Sequence, residues 1–274
     1  MKIICFTNNK GGVGKSTSAS SVASYLALKA NLKVLVVDLD PQGNVTSNFI
    51  DKFETKITKT AYDIMKSKTI EDDIVLETNI PNLKIIPANL SLDRANIEFS
   101  SAFSRENILK KCLKQIENEY DVCVIDTAPT LSILTFNGLV AANGVYIPVR
   151  AGGYEIDGMQ NLVDVILDIQ EIPGSTTKLS GIFFTHFMPS QNISKYVKEE
   201  IERKFMPVME SYIRTNVSLS ESTFAGKSIF EYDPKSNGAK DYENLTKEIM
   251  TIEGIEPIKK RSSRKKVVEN GQAK

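Results

Sequence analysis

Short apolar runs rich in β-branched residues recur along the chain at residues 3–6, 34–37, 83–86, 122–125, 145–149 and 182–184, with a weaker run at 208–213. Between them lie stretches whose apolar positions repeat every three to four residues, at 16–30, 105–116, 156–169 and 195–205. A continuous apolar run marks a strand buried on both faces, and the longer period marks an amphipathic helix. Such strands alternating with helices build βαβ units. The pattern therefore predicts an α/β fold with a mostly parallel, twisted sheet of about 7–8 strands and helices on both faces. No repeat or low-complexity linker interrupts it before residue 251. One α/β domain over 1–253 is expected, followed by a loose tail over 254–274, where the periodicity fades.

Composition changes this picture little. Of 274 residues, 41% are hydrophobic and 25% charged, which excludes a disordered, collagenous or coiled-coil chain. Charge adds more. The formal net charge is zero, but residues 251–274 hold seven cations, six of them within 259–266, against three acids, which leaves the first 250 residues at −4. A basic tail on a mildly acidic body suits a polyanion tether. The three cysteines, Cys5, Cys112 and Cys123, are scattered, which reads as reduced, buried thiols in a cytosolic protein. With His186 the single histidine, a zinc site is not expected. No apolar run reaches the ~18 residues of a membrane span, and no secretion signal is visible.

The candidate chemistry begins where the first strand ends. Asn8-Asn9-Lys10-Gly11-Gly12-Val13-Gly14-Lys15-Ser16-Thr17 lies between that strand and a helix, the setting a phosphate-binding loop requires. Its glycines let the backbone curl and aim N–H groups at a phosphate, and the helix N-terminus adds its positive dipole end. Lys15 can reach the β- and γ-phosphates, and the Ser16 hydroxyl can ligate Mg²⁺. Chance assembly of these residues in a chain this long is on the order of 10⁻⁴. Two features depart from the ordinary pattern: Asn9 stands where a glycine is usual, and Lys10 adds a second lysine. Asp38, Asp40 and Asp126 fall at or just beyond strand ends, the edge at which ligands bind open α/β sheets. A carboxylate there can hold Mg²⁺ or orient water.

Residues 10–17 resemble the deviant Walker A motif of the ParA/MinD family of ATPases, with Lys10 as its signature lysine. Asp38-Leu39-Asp40-Pro41-Gln42-Gly43-Asn44 resembles the family's switch motif, and residues 122–125 followed by Asp126-Thr127-Ala128-Pro129 resemble its Walker B strand end. The likeness extends to residues 219–222 and 226–239 and covers about 1–250. It implies a P-loop NTPase that takes ATP and Mg²⁺ through Lys10, Gly11, Gly12, Val13, Gly14, Lys15, Ser16 and Thr17. By the same resemblance Asp40 orients the attacking water, Asp126 and Ser16 serve the metal, and Asp38 supports that site. Lys10 would reach the partner's nucleotide in an ATP sandwich dimer. Alignment of 213–221 with the family's I-P-R-N-V-R-L-S-E segment assigns Arg214 and Asn216 to the adenine pocket and puts Arg214 at the proline position.

Among branches, the resemblance is to the ParA, Soj-type DNA-partition proteins. Residues 259–274 lack the apolar stripe of a MinD membrane helix, and the cysteines lie wrongly for an iron-protein cluster. Ile3 already opens the first strand, so an N-terminal DNA-reading domain is not expected. The branch implies nonspecific DNA binding by ATP dimers, a ParB-like partner on a centromere, and a cytoplasmic, nucleoid-associated location. Thr215 and Ser218 replace two family arginines, leaving Lys195, Lys198, Arg203, Lys204, Arg214 or the tail to meet DNA. Gly152 also stands where a glutamate is expected. Two alternatives stay open: an ATPase that positions a protein cargo, and a nucleotide-gated transcriptional regulator.

Overall fold

A computed structural model describes residues 1–51, 55–99, 101–151 and 156–258. Its strands are β1 (Lys2–Phe6), β2 (Val34–Leu39), β3 (Leu76–Glu77), β4 (Leu83–Ile86), β5 (Val122–Thr127), β6 (Gly144–Arg150) and β7 (Lys178–Thr185). The helices are α1 (Lys15–Leu28), α2 (Asn44–Phe49), α3 (Ala61–Ser67), α4 (Arg94–Glu98), α5 (Ile108–Gln115), α6 (Ile133–Ala141), α7 (Ile156–Gln170), α8 (Asn192–Lys204), α9 (Val217–Phe224), α10 (Ile229–Tyr232) and α11 (Asn237–Glu253). The strands form one seven-stranded sheet in the order β3-β4-β2-β5-β1-β6-β7. Every pairing is parallel except that of β3 with β4. The expected α/β sheet with helices on both faces is therefore present.

Alternation along the strands divides the interior in two. Ile4, Phe6, Val34, Val36, Val122 and Val124 pack with α1 and α11 on one face. Cys5, Leu35, Val37, Cys123 and Ile125 pack with α3, α5, α6, α7 and α8 on the other. Both sets are buried, so successive side chains enter opposite cores and the run reads as apolar throughout. α1 buries Ser18, Ser20, Ser21 and Ser24 as well as its apolar residues.

The weak run at 208–213 is not a strand. Among the described residues it meets the sheet at the isolated pairing of Ile182 with Val208 and where Ile213 N–H donates to the Phe184 carbonyl at 2.8 Å, with a further pairing of Phe187 with Arg214 just past β7. Between these points the amides of Glu210 and Ser211 donate to the Glu248 carboxylate on α11, each at 2.9 Å, instead of to β7. The expected helix at 105–116 starts as a 3₁₀ turn over Arg105–Asn107 and becomes α-helical at Ile108. At the far end, α11 closes on Gly254 in the left-handed conformation, φ 65°. Ile255 N–H then donates to Met250 and Ile258 N–H to the Ala30 carbonyl, so residues 255–258 fold back onto α1. The basic residues from 259 onward lie outside the described residues.

Candidate nucleotide site

β1 delivers the chain to the sheet's carboxyl edge, where residues 8–14 turn sharply into α1. Gly12 and Gly14 hold φ at 72° and 84°, conformations that cost a side-chain-bearing residue energy. Asn8 anchors the turn: its Nδ2 donates to the Pro148 carbonyl at 2.8 Å and its Oδ1 accepts from Lys10 N–H at 3.0 Å. β7 braces it from the side, because Thr185 Oγ1 donates to the Val13 carbonyl at 2.9 Å. The curl leaves Gly11 and Gly12 exposed while burying the side chains of Val13 and Lys15.

Strand register sets the carboxylates. Asp38 on β2 stands directly beside Asp126 on β5, and Asp126 in turn beside Phe6 on β1. Ser16, in the first turn of α1, donates to Asp126 Oδ2 at 2.7 Å. Asp126 Oδ1 is buried without a partner among the described residues. Burial, then the neighbouring Asp38, hold the Asp126 carboxyl well above the usual carboxylate range, against the opposing pull of Ser16 and Lys15. Asp38 is used differently: Oδ1 accepts from Asp40 N–H at 3.0 Å, and Oδ2 accepts from Thr46 N–H at 2.9 Å and Thr46 Oγ1 at 2.7 Å. Its pKa is pushed up to about 6 by burial, despite those hydrogen bonds. Ala88 N–H donates to Thr46 Oγ1 at 2.9 Å, which ties the switch segment to the end of β4.

Asp40 opens that segment. Its Oδ1 accepts from Gln42 N–H at 3.0 Å and its carbonyl from Gly43 N–H at 2.8 Å, forming a tight turn that Gly43 leaves at φ 63° to start α2. Lys15 Nζ donates to the Lys10 carbonyl at 2.9 Å. Burial lowers the Lys15 pKa, while Asp126 and Asp40 act to raise it. The aliphatic stem of Lys10 runs toward α7, its Cε 3.7 Å from where a Cβ on Gly158 would stand. Among the described residues, no group of three or more His, Cys, Asp or Glu could hold a metal. A cation here would draw on Ser16, one oxygen of Asp126, phosphate oxygens and water, a donor set that suits Mg²⁺. The orphaned Asp126 oxygen fits that ion, because a buried lone pair without a donor is costly unless something else takes it.

Beside the loop lies a cavity of about 450 Å³. Gly14 and Thr17 line it from the loop side, Thr185 and His186 from the end of β7, and Arg214, Asn216 and Tyr242 from opposite. Both residues assigned to the adenine pocket are therefore present, in different states. The Arg214 guanidinium is bound to Asp241, with Nη2 to Oδ1 at 2.6 Å and Nε to Oδ2 at 2.9 Å. Asn216 Oδ1 is buried and has no partner among the described residues. Thr46, Thr185, Tyr242 and Asp241 belong to no motif legible in the sequence and enter the site through contacts with Ala88, Val13, Ser18 and Arg214.

Of the cations suggested for DNA, Lys198 pairs with Glu202, Arg203 with Glu200 and Arg214 with Asp241. Ser218 Oγ donates to Asp233. Gly152 lies outside the described residues. No described helix is long and apolar enough to cross a membrane.

Comparison with known proteins agrees with this geometry. A family profile described as an AAA domain matches residues 1–179. The chain is 38% identical to the Bacillus subtilis sporulation initiation inhibitor protein Soj over 250 residues, covering 90% of this chain and 98% of that one. It is 37% identical to the Treponema pallidum chromosome-partitioning ATPase Soj, covering 92% and 98%. Its fold superposes with a TM-score of 0.80 on a Mycobacterium smegmatis protein described as cobyrinic acid a,c-diamide synthase with bound ATP analogue and magnesium, at 27% identity over 90% of this chain and 93% of that one. With the phosphate loop, its second lysine and the paired strand-end carboxylates in place, the chain belongs to the ParA/MinD family of P-loop ATPases.

Proposed function

We propose that this chain is an ATP-hydrolysing partition protein. In this reading it forms ATP-dependent sandwich dimers that bind DNA without sequence preference, and it segregates plasmid or chromosomal DNA with a ParB-like partner. It would work in the cytoplasm on the nucleoid. The observation that carries the enzymatic half is the Ser16–Asp126 contact with its unpartnered Asp126 oxygen, set under a left-handed glycine turn. The partition half rests on the relatives named above.

ATP and Mg²⁺ together would supply an electrophilic phosphorus and a cation that neutralises its oxygens. The backbone N–H groups of residues 10–15 would cradle the phosphates, and Ser16 and Asp126 would hold the metal. Lys15 would exchange its bond to the Lys10 carbonyl for phosphate oxygens. Asp38 fixes the backbone of Asp40 and Thr46, so the Asp40 carboxylate is carried on a rigid turn to orient water. Lys10 would neutralise charge on the partner's nucleotide. Asn216 Oδ1, an acceptor without a donor, fits the exocyclic amine of adenine.

The test combines ATP turnover with and without Mg²⁺ and a DNA mobility shift with ATP, ADP or no nucleotide. The reading requires Mg²⁺-dependent turnover and a shift with ATP alone. A second reading, positioning of a protein cargo, draws support from Thr215 and Ser218 at the arginine positions and from the paired state of Lys198, Arg203 and Arg214. It predicts the same turnover without the shift.

A further inference from the structure

Asp241 lies on α11, remote from the phosphate loop in sequence, and is 6% exposed. A carboxylate so buried needs partners. All of those described come from one residue: Arg214 N–H donates to Oδ2 at 3.0 Å, Nε to Oδ2 at 2.9 Å and Nη2 to Oδ1 at 2.6 Å. The pair thus holds both the main chain and the side chain of Arg214. On its other side this segment meets the end of β7, where Ile213 N–H donates to the Phe184 carbonyl at 2.8 Å, and Phe187 N–H, two residues past the strand, donates to the Ile213 carbonyl at 3.0 Å. The segment that follows, Thr215 and Asn216, forms the cavity wall and carries the unpartnered Asn216 Oδ1. The next residue in α11, Tyr242, also lines the cavity, and its hydroxyl lies 3.0 Å from Ser18 Oγ on α1, which in turn donates to the Gly14 carbonyl of the phosphate loop.

Two adjacent residues of one helix therefore fix the two sides of the cavity relative to each other. We propose that Asp241 is a positioning residue: through Arg214 it holds Asn216 in register with the phosphate loop, and so sets recognition of the purine end of the nucleotide. This rests on the nucleotide-binding reading above and adds to it a residue that touches no nucleotide. Arg214 occupies the place of a proline in the related segment, so hydrogen bonds to Asp241 here restrain a backbone that a ring would restrain elsewhere.

The test compares wild type with Asp241→Ala, Arg214→Ala and the double variant, in the full chain. Affinities are measured for ATP, inosine triphosphate, which lacks the exocyclic amine, and inorganic tripolyphosphate. Wild type should prefer ATP over inosine triphosphate. Each single variant should bind ATP up to about tenfold more weakly, the scale of one lost hydrogen bond between Asn216 and the base, with the preference over inosine triphosphate collapsing. Tripolyphosphate affinity should stay within about twofold of wild type, which also shows that the loop is folded. The double variant should be no worse than either single, since both break one unit. Retained base preference in Asp241→Ala, equal losses for all three ligands, or additive losses in the double variant would overturn the proposal. Failure of wild type to bind any of the three would instead overturn the nucleotide-binding reading itself.

Discussion

Ser16 donates its hydroxyl hydrogen to one oxygen of Asp126 across 2.7 Å, and the other oxygen of that fully buried carboxyl has no partner among the described residues. The side chain is thus half satisfied by the protein and left open toward the place where a cation would sit. An enzyme that keeps such a group trades fold stability for metal binding.

Asp126→Asn should therefore raise the stability of the nucleotide-free protein at pH 7.5 while abolishing Mg²⁺-dependent turnover. The folded pKa is raised, so the protonated carboxyl stabilises the fold at low pH, and that stabilisation is lost as pH rises. The melting-temperature difference between variant and wild type should grow as pH rises above 3.8, by on the order of 2–4 °C for each kcal/mol. Differential scanning fluorimetry reads it. Asp38 adds a wild-type decline over pH 3.8 to about 6. A variant less stable than wild type at every pH contradicts the account.

Asp40→Ala should keep ATP binding and dimerisation but lower turnover by roughly 10²–10⁴-fold, the usual worth of a group that positions or activates water. Its carboxylate accepts only from the Gln42 amide among the described hydrogen bonds, so the turn loses little. Size-exclusion chromatography with ATP should show a long-lived dimer. Wild-type turnover in this variant would remove Asp40 from the mechanism.

The two lysines should separate cleanly. Lys15→Ala removes a buried ammonium that now rests on the Lys10 carbonyl, and nucleotide affinity of the monomer should fall by at least about tenfold. Lys10→Ala should bind nucleotide with near wild-type affinity yet fail to form the ATP dimer. Light scattering with a non-hydrolysable analogue distinguishes them. Dimerisation of Lys10→Ala would disprove the role in trans.

A chain ending at Ile258 retains the bond from its amide to Ala30 and lacks all six cations of 259–266. It should keep ATPase activity and ATP-dependent dimerisation. DNA affinity and its salt dependence should both drop, the log–log slope by about 0.9 for each phosphate that the tail neutralises. Two tails in one dimer would also act together, so the drop should exceed that expected of a single tail. Equal affinities and slopes across a salt series would shift attention to Lys195 and Lys204 on the body.

What was legible in the sequence follows the range of the interactions. Residues 83–86 form a strand with those bounds, Leu83, Ile85 and Ile86 being buried and the run too short for a helix. The phosphate loop and Asp126 are legible for the same reason: strand, turn and carboxylate are local. The 208–213 segment misleads, because the Met209 and Ile213 amides bond β7 but those of Glu210 and Ser211 between them turn to Glu248 on α11 and break the ladder. α11 itself, 17 residues long with Ser236 as its N-cap, carries a helical pattern that a search for alternating strands passes over. Arg214 points to adenine by alignment, yet only the fold reveals Asp241 as its partner, 27 residues away.

The fold of residues 255–258 onto Ala30 has a mechanical consequence. α1 starts at Lys15, at the end of the phosphate loop, and ends beside residues 255–258, about 20 Å away at 1.5 Å per residue. That span exceeds the roughly 10 Å over which salt water lets charges act on one another. Any load borne by residues 259–274 would therefore reach the cleft by two rods, through the backbone into α11, which carries Tyr242 on the cavity wall, and through the Ile258–Ala30 bond into α1, which carries Lys15 and Ser16.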